Sequence, residues 1–282
     1  MVFTTRFAPS PTGRLHLGHA FSALTAERAA REAGGRFLLR IEDIDPTRCK
    51  PEFEAGILED LEWLGLSWET PVRRQSDHLG DYAAVLDRMQ SDGLIYRCFL
   101  TRTEVAERIG QAPHGALEAY VGAPLPPDEE AQRLEAGDAF AWRLSLAAAQ
   151  VRLGRQWDCM TFTEEGSGPD GETGALAVDP ARGGDVVLAR KDAQVAYHLA
   201  CVHDDAAQGV THVIRGQDLF EAVHVQRLLQ ALLNLPEPVY RHHRLITDET
   251  GRRLAKRDKD QTLKALRDSG VTPTEIRERL GL

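Results

Sequence analysis

The chain has 282 residues, 42% of them hydrophobic and 27% charged, with a formal net charge of −9. That composition suits one large or two smaller globular domains, and the acidic balance argues against broad, nonspecific nucleic-acid binding while leaving room for a local basic patch. No stretch approaches the roughly 20 apolar residues of a membrane span, no signal-peptide core follows the opening Met-Val-Phe-Thr-Thr-Arg, and Cys49, Cys98, Cys159 and Cys201 form no CxC or CxxC pair, so a reduced, cytoplasmic protein is expected.

Residues 2–8 mix β-branched and aromatic side chains and predict a strand. Residues 9–13, Pro-Ser-Pro-Thr-Gly, are loop chemistry. A helical pattern runs over 15–33, with Leu17, Phe21, Leu24 and Arg28 at helical spacing, and Gly34-Gly35 ends it. Residues 37–41 are a nearly continuous apolar run that suits a buried parallel strand. Strand, glycine-containing loop, helix and strand make a βαβ opening, so the predicted fold class is α/β with a Rossmann-type parallel sheet. Helices are expected near 53–64 and 79–92, then a strand over 94–99. From about 97 to 184 the character changes. Residues 112–135 are rich in Pro, Gly and acids, 164–174 form a glycine-rich acidic loop, and 140–146 alternate as strands do. This stretch reads as an α+β insertion. The α/β pattern resumes with a strand over 186–188, a strand over 211–215 ending in Arg-Gly, and an amphipathic helix over 219–233. The expected organisation is residues 1–96 and 185–240 as two halves of one catalytic domain, 97–184 inserted between them, and 241–282 as a basic loop with a short helical tail.

Two segments carry chemistry. His16 and His19 lie three apart after a strand and at a helix start, where free N–H groups and the helix dipole favour phosphate. Gly18 leaves room for a nucleotide to approach the backbone, and two imidazoles can donate hydrogen bonds to charge developing on phosphoryl oxygens. Alone, such a pair is more often two surface histidines. The second segment is Arg252-Arg253-Leu254-Ala255-Lys256-Arg257. Alone, it is more often a solvated face; its sharper reading is a lysine that neutralises phosphate charge.

Together they resemble the class I aminoacyl-tRNA synthetases. His16-Leu17-Gly18-His19 is similar to the HIGH motif of that class, and Arg253 to Arg257 to its KMSKS loop, with Lys256 as the second lysine. Arg6-Phe7-Ala8-Pro9-Ser10-Pro11-Thr12-Gly13, Leu39-Arg40-Ile41-Glu42-Asp43-Ile44-Asp45 and Thr211-His212-Val213-Ile214-Arg215-Gly216 resemble the glutamyl branch. The resemblance implies a glutamate site. Such a site needs cationic forks for two carboxylates and an anion for one ammonium. It places Arg6 and Arg215 at the carboxylates, Glu42 at the ammonium, Phe7, Ala8, Pro9 and Ser10 along the pocket, and Tyr197 as its closing side. ATP, accompanied by Mg²⁺, is implied at Pro9, Thr12, Gly13, His16, Gly18, His19 and Lys256, with His16, His19 and Lys256 catalytic. As residue types alone, Arg6 and Glu42 would equally make an ordinary ion pair, and Tyr197 a core side chain.

Twenty-six residues follow Lys256, too few for the helical anticodon-binding region of a complete glutamyl-tRNA synthetase. The short members of the branch resemble this chain. They activate L-glutamate without tRNA and transfer it to the queuosine base in the anticodon of tRNA(Asp). A monomer is expected. Arg252, Arg257 and Lys259 are candidate tRNA contacts. The alternatives are a truncated enzyme charging tRNA(Glu), a non-catalytic RNA-binding paralogue, and a nucleotidyltransferase sharing only the histidine motif. Many short members also hold zinc through a CxC pair, a tyrosine and a further cysteine. Here Cys98 and Tyr120 remain, but Leu100 and Pro124 stand in the other positions. One thiolate and one phenol do not make a tetrahedral zinc site, so no zinc is expected and packing is expected to hold the insertion instead.

Overall fold

The computed structural model describes residues 2–110, 119–190, 195–246 and 262–282. Strand β1 (Thr4–Phe7) passes through the proline-rich loop into helix α1 (Leu17–Glu32), and the chain returns in parallel as β2 (Arg36–Ile41). Gly34, just past α1, takes φ 59°, a left-handed turn that costs glycine no Cβ clash. Helix α2 (Pro51–Trp63) leads to β3 (Glu69–Arg74), a parallel edge strand beside β2, and α3 (Leu79–Ser91) follows. Then come β4 (Ile95–Cys98), α4 (Arg102–Gly110), α5 (Pro127–Glu135), β5 (Ala141–Leu144), α6 (Leu146–Leu153), α7 (Arg155–Cys159), β6 (Thr161–Glu164) and β7 (Gly174–Ala177). The chain continues through β8 (Val187–Arg190), α8 (Tyr197–Ala207), β9 (His212–Gly216), α9 (Ala222–Leu233) and β10 (Val239–His243), then α10 (Leu263–Asp268) and α11 (Pro273–Leu280).

The strands β3-β2-β1 run in parallel, as do β9, β10 and β6, with β7 antiparallel at the far edge. The two groups meet where Thr211 N donates to Thr4 O at 2.9 Å and Thr4 N to Thr211 Oγ1 at 2.9 Å. Side chains alternate across this surface. Phe37, Leu39 and Ile41 of β2 and Ile214 of β9 join one core with α1, α2, α10 and α11. Leu38 and Val213 face the other, with α3, α6, α8 and α9. Helices on both faces of a parallel sheet make a doubly wound α/β fold. Each fully buried Leu or Ile in these cores contributes on the order of 1.5–3 kcal/mol. Among the described residues no helix is long and apolar enough to cross a membrane.

β5, inside residues 97–184, pairs antiparallel with β4 and with β8, which begins beyond that stretch, and the three form a separate small sheet. The β6–β7 hairpin instead extends the main sheet beside β10. Buried Asp185 ties the small sheet together, accepting from Tyr96 Oη at 2.7 Å, Gly122 N at 2.8 Å and Leu146 N at 3.0 Å. Cys98 and Tyr120 do come together, in a cluster with Tyr96 against Leu100, Val105 and Ile109. This is an apolar lining, and its one thiol and two phenols do not fit a tetrahedral zinc site. His114, the nearby histidine that a repurposed zinc site would call on, lies outside the described residues.

Candidate active site

A cleft of about 830 Å³ opens where β1 and β9 part at their carboxyl ends, the switch point at which open α/β sheets bind ligands. Arg6 and Phe7 reach it from β1, Glu42 from just past β2, Tyr197 from the start of α8, and Arg215 from β9; Ala8, Pro9 and Ser10 line its floor. The four charged or phenolic groups come from four elements spread over the whole chain, and the fold brings them together.

The two arginines are held differently. Arg6 donates from Nε to Asp205 Oδ1 at 3.0 Å and from Nη2 to Oδ2 at 3.2 Å. Arg40, fully buried, donates to the same carboxylate at 2.7 Å and to Glu42 Oε1 at 3.1 Å. Burial alone would raise the Asp205 carboxyl, but Arg6 and Arg40 outweigh it and hold it at about 2. Glu42 goes the other way: burial raises it, against the pull of Arg40 and Arg6. An entering ammonium would favour its charged form. Among the described residues, Arg215, in contrast, donates to neutral acceptors: His242 Nε2 at 3.0 Å, Gln226 Oε1 at 2.9 Å and Leu219 O at 2.9 Å. Burial raises the Tyr197 phenol, so its hydroxyl stays protonated and able to donate.

His16 is the N-cap of α1 rather than a residue within it. Its Nδ1 accepts from Gly18 N at 3.1 Å, and His19 Nδ1 accepts from His16 N at 3.2 Å, a reciprocal capping arrangement. The rings sit 3.8 Å apart along the cleft wall. A Cβ at Gly18 would lie 3.0 Å from His16 Cε1, so glycine there also clears the imidazole. Thr12 lines a second cavity of about 340 Å³ that shares Ser10, Glu42 and Tyr197 with the first; Gly13 lines neither. Lys256, with Arg252, Arg253, Arg257 and Lys259, lies outside the described residues. The residues that bracket this segment are at the site: Ile246 lines the cleft, and Thr262 forms a β-bridge with His16.

Sequence reasoning missed several neighbours. Arg40 and Asp205 form the buried lattice behind Arg6. An arginine inside the apolar run Phe37-Leu38-Leu39-Arg40-Ile41 was the available signal for the first, since a charge in a buried strand needs a partner. Ser22 and His243 line the cleft and meet at 2.9 Å. His243 Nδ1 lies 2.9 Å from Arg244 O, so this nitrogen carries the proton and the Ser22 hydroxyl donates to Nε2. Nothing local in the sequence marked this pair.

One cleft in an α/β fold thus gathers the histidine-capped start of α1 and the buried arginines Arg6 and Arg215. The family model for the catalytic domain of class I tRNA synthetases (E and Q) matches residues 2–282, and the chain belongs to that family of ligases. It is 48% identical to the glutamyl-Q tRNA(Asp) synthetase of Rhodobacter capsulatus, over 99% of each chain. It is 42% identical to that of Nitratidesulfovibrio vulgaris, over 96% of this chain and 83% of the other. Among solved structures, a glutamate-tRNA synthetase from Elizabethkingia anophelis superposes with a TM-score of 0.76 at 28% identity, over 92% of this chain and 54% of that one.

Proposed function

We propose that this chain activates L-glutamate with ATP to glutamyl-adenylate, without tRNA, and then transfers glutamate to the queuosine base in the anticodon of tRNA(Asp). The observation that carries the first half is the convergence of Arg6, Arg215, Glu42 and Tyr197 on one cleft with His16 and His19. The arginines answer two carboxylates and Glu42 answers the ammonium. The α-carboxylate oxygen attacks the α-phosphorus of ATP and pyrophosphate leaves. A hydroxyl of the acceptor then attacks the adenylate carbonyl and AMP leaves. No protein nucleophile is needed. His16, His19 and Lys256 stabilise the charge that builds on the phosphoryl oxygens, and binding in the cleft supplies proximity. Among the described residues no three His, Cys, Asp or Glu side chains gather as a metal cage. Magnesium enters with ATP as part of that substrate.

What supports the acceptor is the name carried by the Rhodobacter and Nitratidesulfovibrio relatives, together with near-full overlap in length with the first of them. The complete glutamate–tRNA ligases are longer, and this chain spans 59% of the one from Ruegeria sp.. The test is transfer of labelled glutamate to queuosine-containing tRNA(Asp), to its unmodified transcript and to tRNA(Glu). Label confined to the queuosine-containing tRNA is expected. Equal labelling of the two tRNA(Asp) forms, or charging of tRNA(Glu), defeats the proposed acceptor.

A further inference from the structure

Behind Arg215 lies a buried pair with no part in the scheme above. Arg215 Nε–H donates to His242 Nε2 at 3.0 Å. A guanidinium only donates, so this nitrogen must present its lone pair. The imidazole proton then sits on Nδ1, which faces Glu164 Oε2 at 2.6 Å. Glu164 is itself fixed, its Oε1 accepting from His242 N and Gly166 N, each at 2.8 Å. Glu164 and His242 are 1% and 2% exposed, so water is not available to replace either bond. Phe220 packs edge-on against the imidazole at 5.2 Å. Gln226 and Leu219 hold the other two nitrogens of Arg215. A planar guanidinium pinned at all three nitrogens has one orientation left.

We propose that Glu164 and His242 are positioning residues: the carboxylate fixes the imidazole in its Nδ1–H tautomer, and that tautomer fixes the plane in which Arg215 meets a substrate carboxylate. The inference deepens the reading of Arg215 as a glutamate anchor and rests on it for its kinetic arm. Its spectroscopic arm stands alone.

The discriminating variants are Glu164→Gln and His242→Gln. In Glu164→Gln the oxygen stays with the two backbone N–H groups and the amide nitrogen turns to His242. It donates to Nδ1, moves the ring proton to Nε2, and sets it against Arg215 Nε–H. In His242→Gln one amide offers an acceptor to Arg215 and a donor to Glu164, about as far apart as the ring nitrogens. A purely structural role predicts the reverse order, since the first change is nearly isosteric and the second removes a packed ring. The expected result for Glu164→Gln is a KM for glutamate raised at least about tenfold in ATP–pyrophosphate exchange, the scale of a lost buried hydrogen bond, with the KM for ATP unchanged. His242→Gln is expected to stay within about threefold of wild type, as a conserved acceptor should. Nitrogen-15 NMR of wild-type His242 should show a protonated Nδ1 and a bare Nε2, exchanged in Glu164→Gln. Three results overturn the proposal: a wild-type ring protonated at Nε2, a Glu164→Gln variant with wild-type KM for glutamate, or a His242→Gln variant impaired as much as Glu164→Gln. If Glu164→Gln does not fold, the wild-type nitrogen signature decides. If exchange does not depend on glutamate in the wild type, the reading of the site fails while the tautomer is still measured.

Discussion

Asp205→Asn removes one charge and almost no volume from the lattice behind Arg6. The carboxylate accepts from Arg6 Nε at 3.0 Å, Arg6 Nη2 at 3.2 Å and Arg40 Nη1 at 2.7 Å. An asparagine keeps one acceptor oxygen and turns an amide donor against a guanidinium. Both arginines stay buried, and the nearest remaining anions are already engaged: Glu42 with Arg40, and Asp204 with Arg73, Gln75 and Tyr82. Removing one partner of such a buried pair costs about 3–5 kcal/mol. The shift of the carboxyl gives a lower figure. The carboxyl is held at about 2, below its ordinary 3.8, and that depression corresponds to about 2 kcal/mol at neutral pH. Because the folded-state value is the depressed one, the contribution is complete above the unfolded value and is lost as pH falls towards 2. Urea unfolding at pH 7 should therefore find the variant about 2–5 kcal/mol less stable, or roughly 5–15 °C lower in Tm. The gap should narrow by about 1 kcal/mol between pH 5 and pH 3. A gap below about 1 kcal/mol at pH 7, or one that widens in acid, would refute the reasoning.

His19→Ala and Lys256→Ala should each lower glutamate-dependent ATP–pyrophosphate exchange on the order of 10²–10³-fold while the circular dichroism stays native; near-wild-type exchange in both would remove their assigned roles. Elemental analysis of protein purified without added metal should find zinc far below one per chain. Stoichiometric zinc would mean that the cluster around Cys98 and Tyr120 is not the apolar packing described.

The opening unit of the fold was legible because its signals are local. Apolar spacing, a proline-rich loop and Gly34-Gly35 specify strand, helix and strand without reference to the rest of the chain. Strand β3 was not legible. Its sequence, Glu-Thr-Pro-Val-Arg-Arg, is charged because the strand is an edge, and pairing with β2 rather than propensity makes it extended. Strands β6 and β10 were hidden for a related reason. Val-Tyr-Arg-His-His reads as polar, yet His242 turns inward, because its partner is Glu164, 78 positions earlier. A buried polar group is stable only with its partner, and no window of sequence contains both.

The same limit applies at the site. Resemblance placed Arg6 and Arg215 alike at the substrate carboxylates, but their surroundings in the structure differ. Arg6 meets a carboxylate at contact distance, one it shares with Arg40. Arg215 meets a ring, an amide and a carbonyl, and its nearest fixed anion in this chain of contacts, Glu164, lies beyond the ring. On the proposed reading of the site, an arginine whose hydrogen-bond acceptors among the described residues are all neutral attracts an entering anion more strongly than one already facing a carboxylate. On that reading, two arginines of equal formal charge offer a dianionic substrate different forces. Arg6 would chiefly contribute fixed geometry, and Arg215 geometry, through the proposed Glu164 and His242 relay, together with charge.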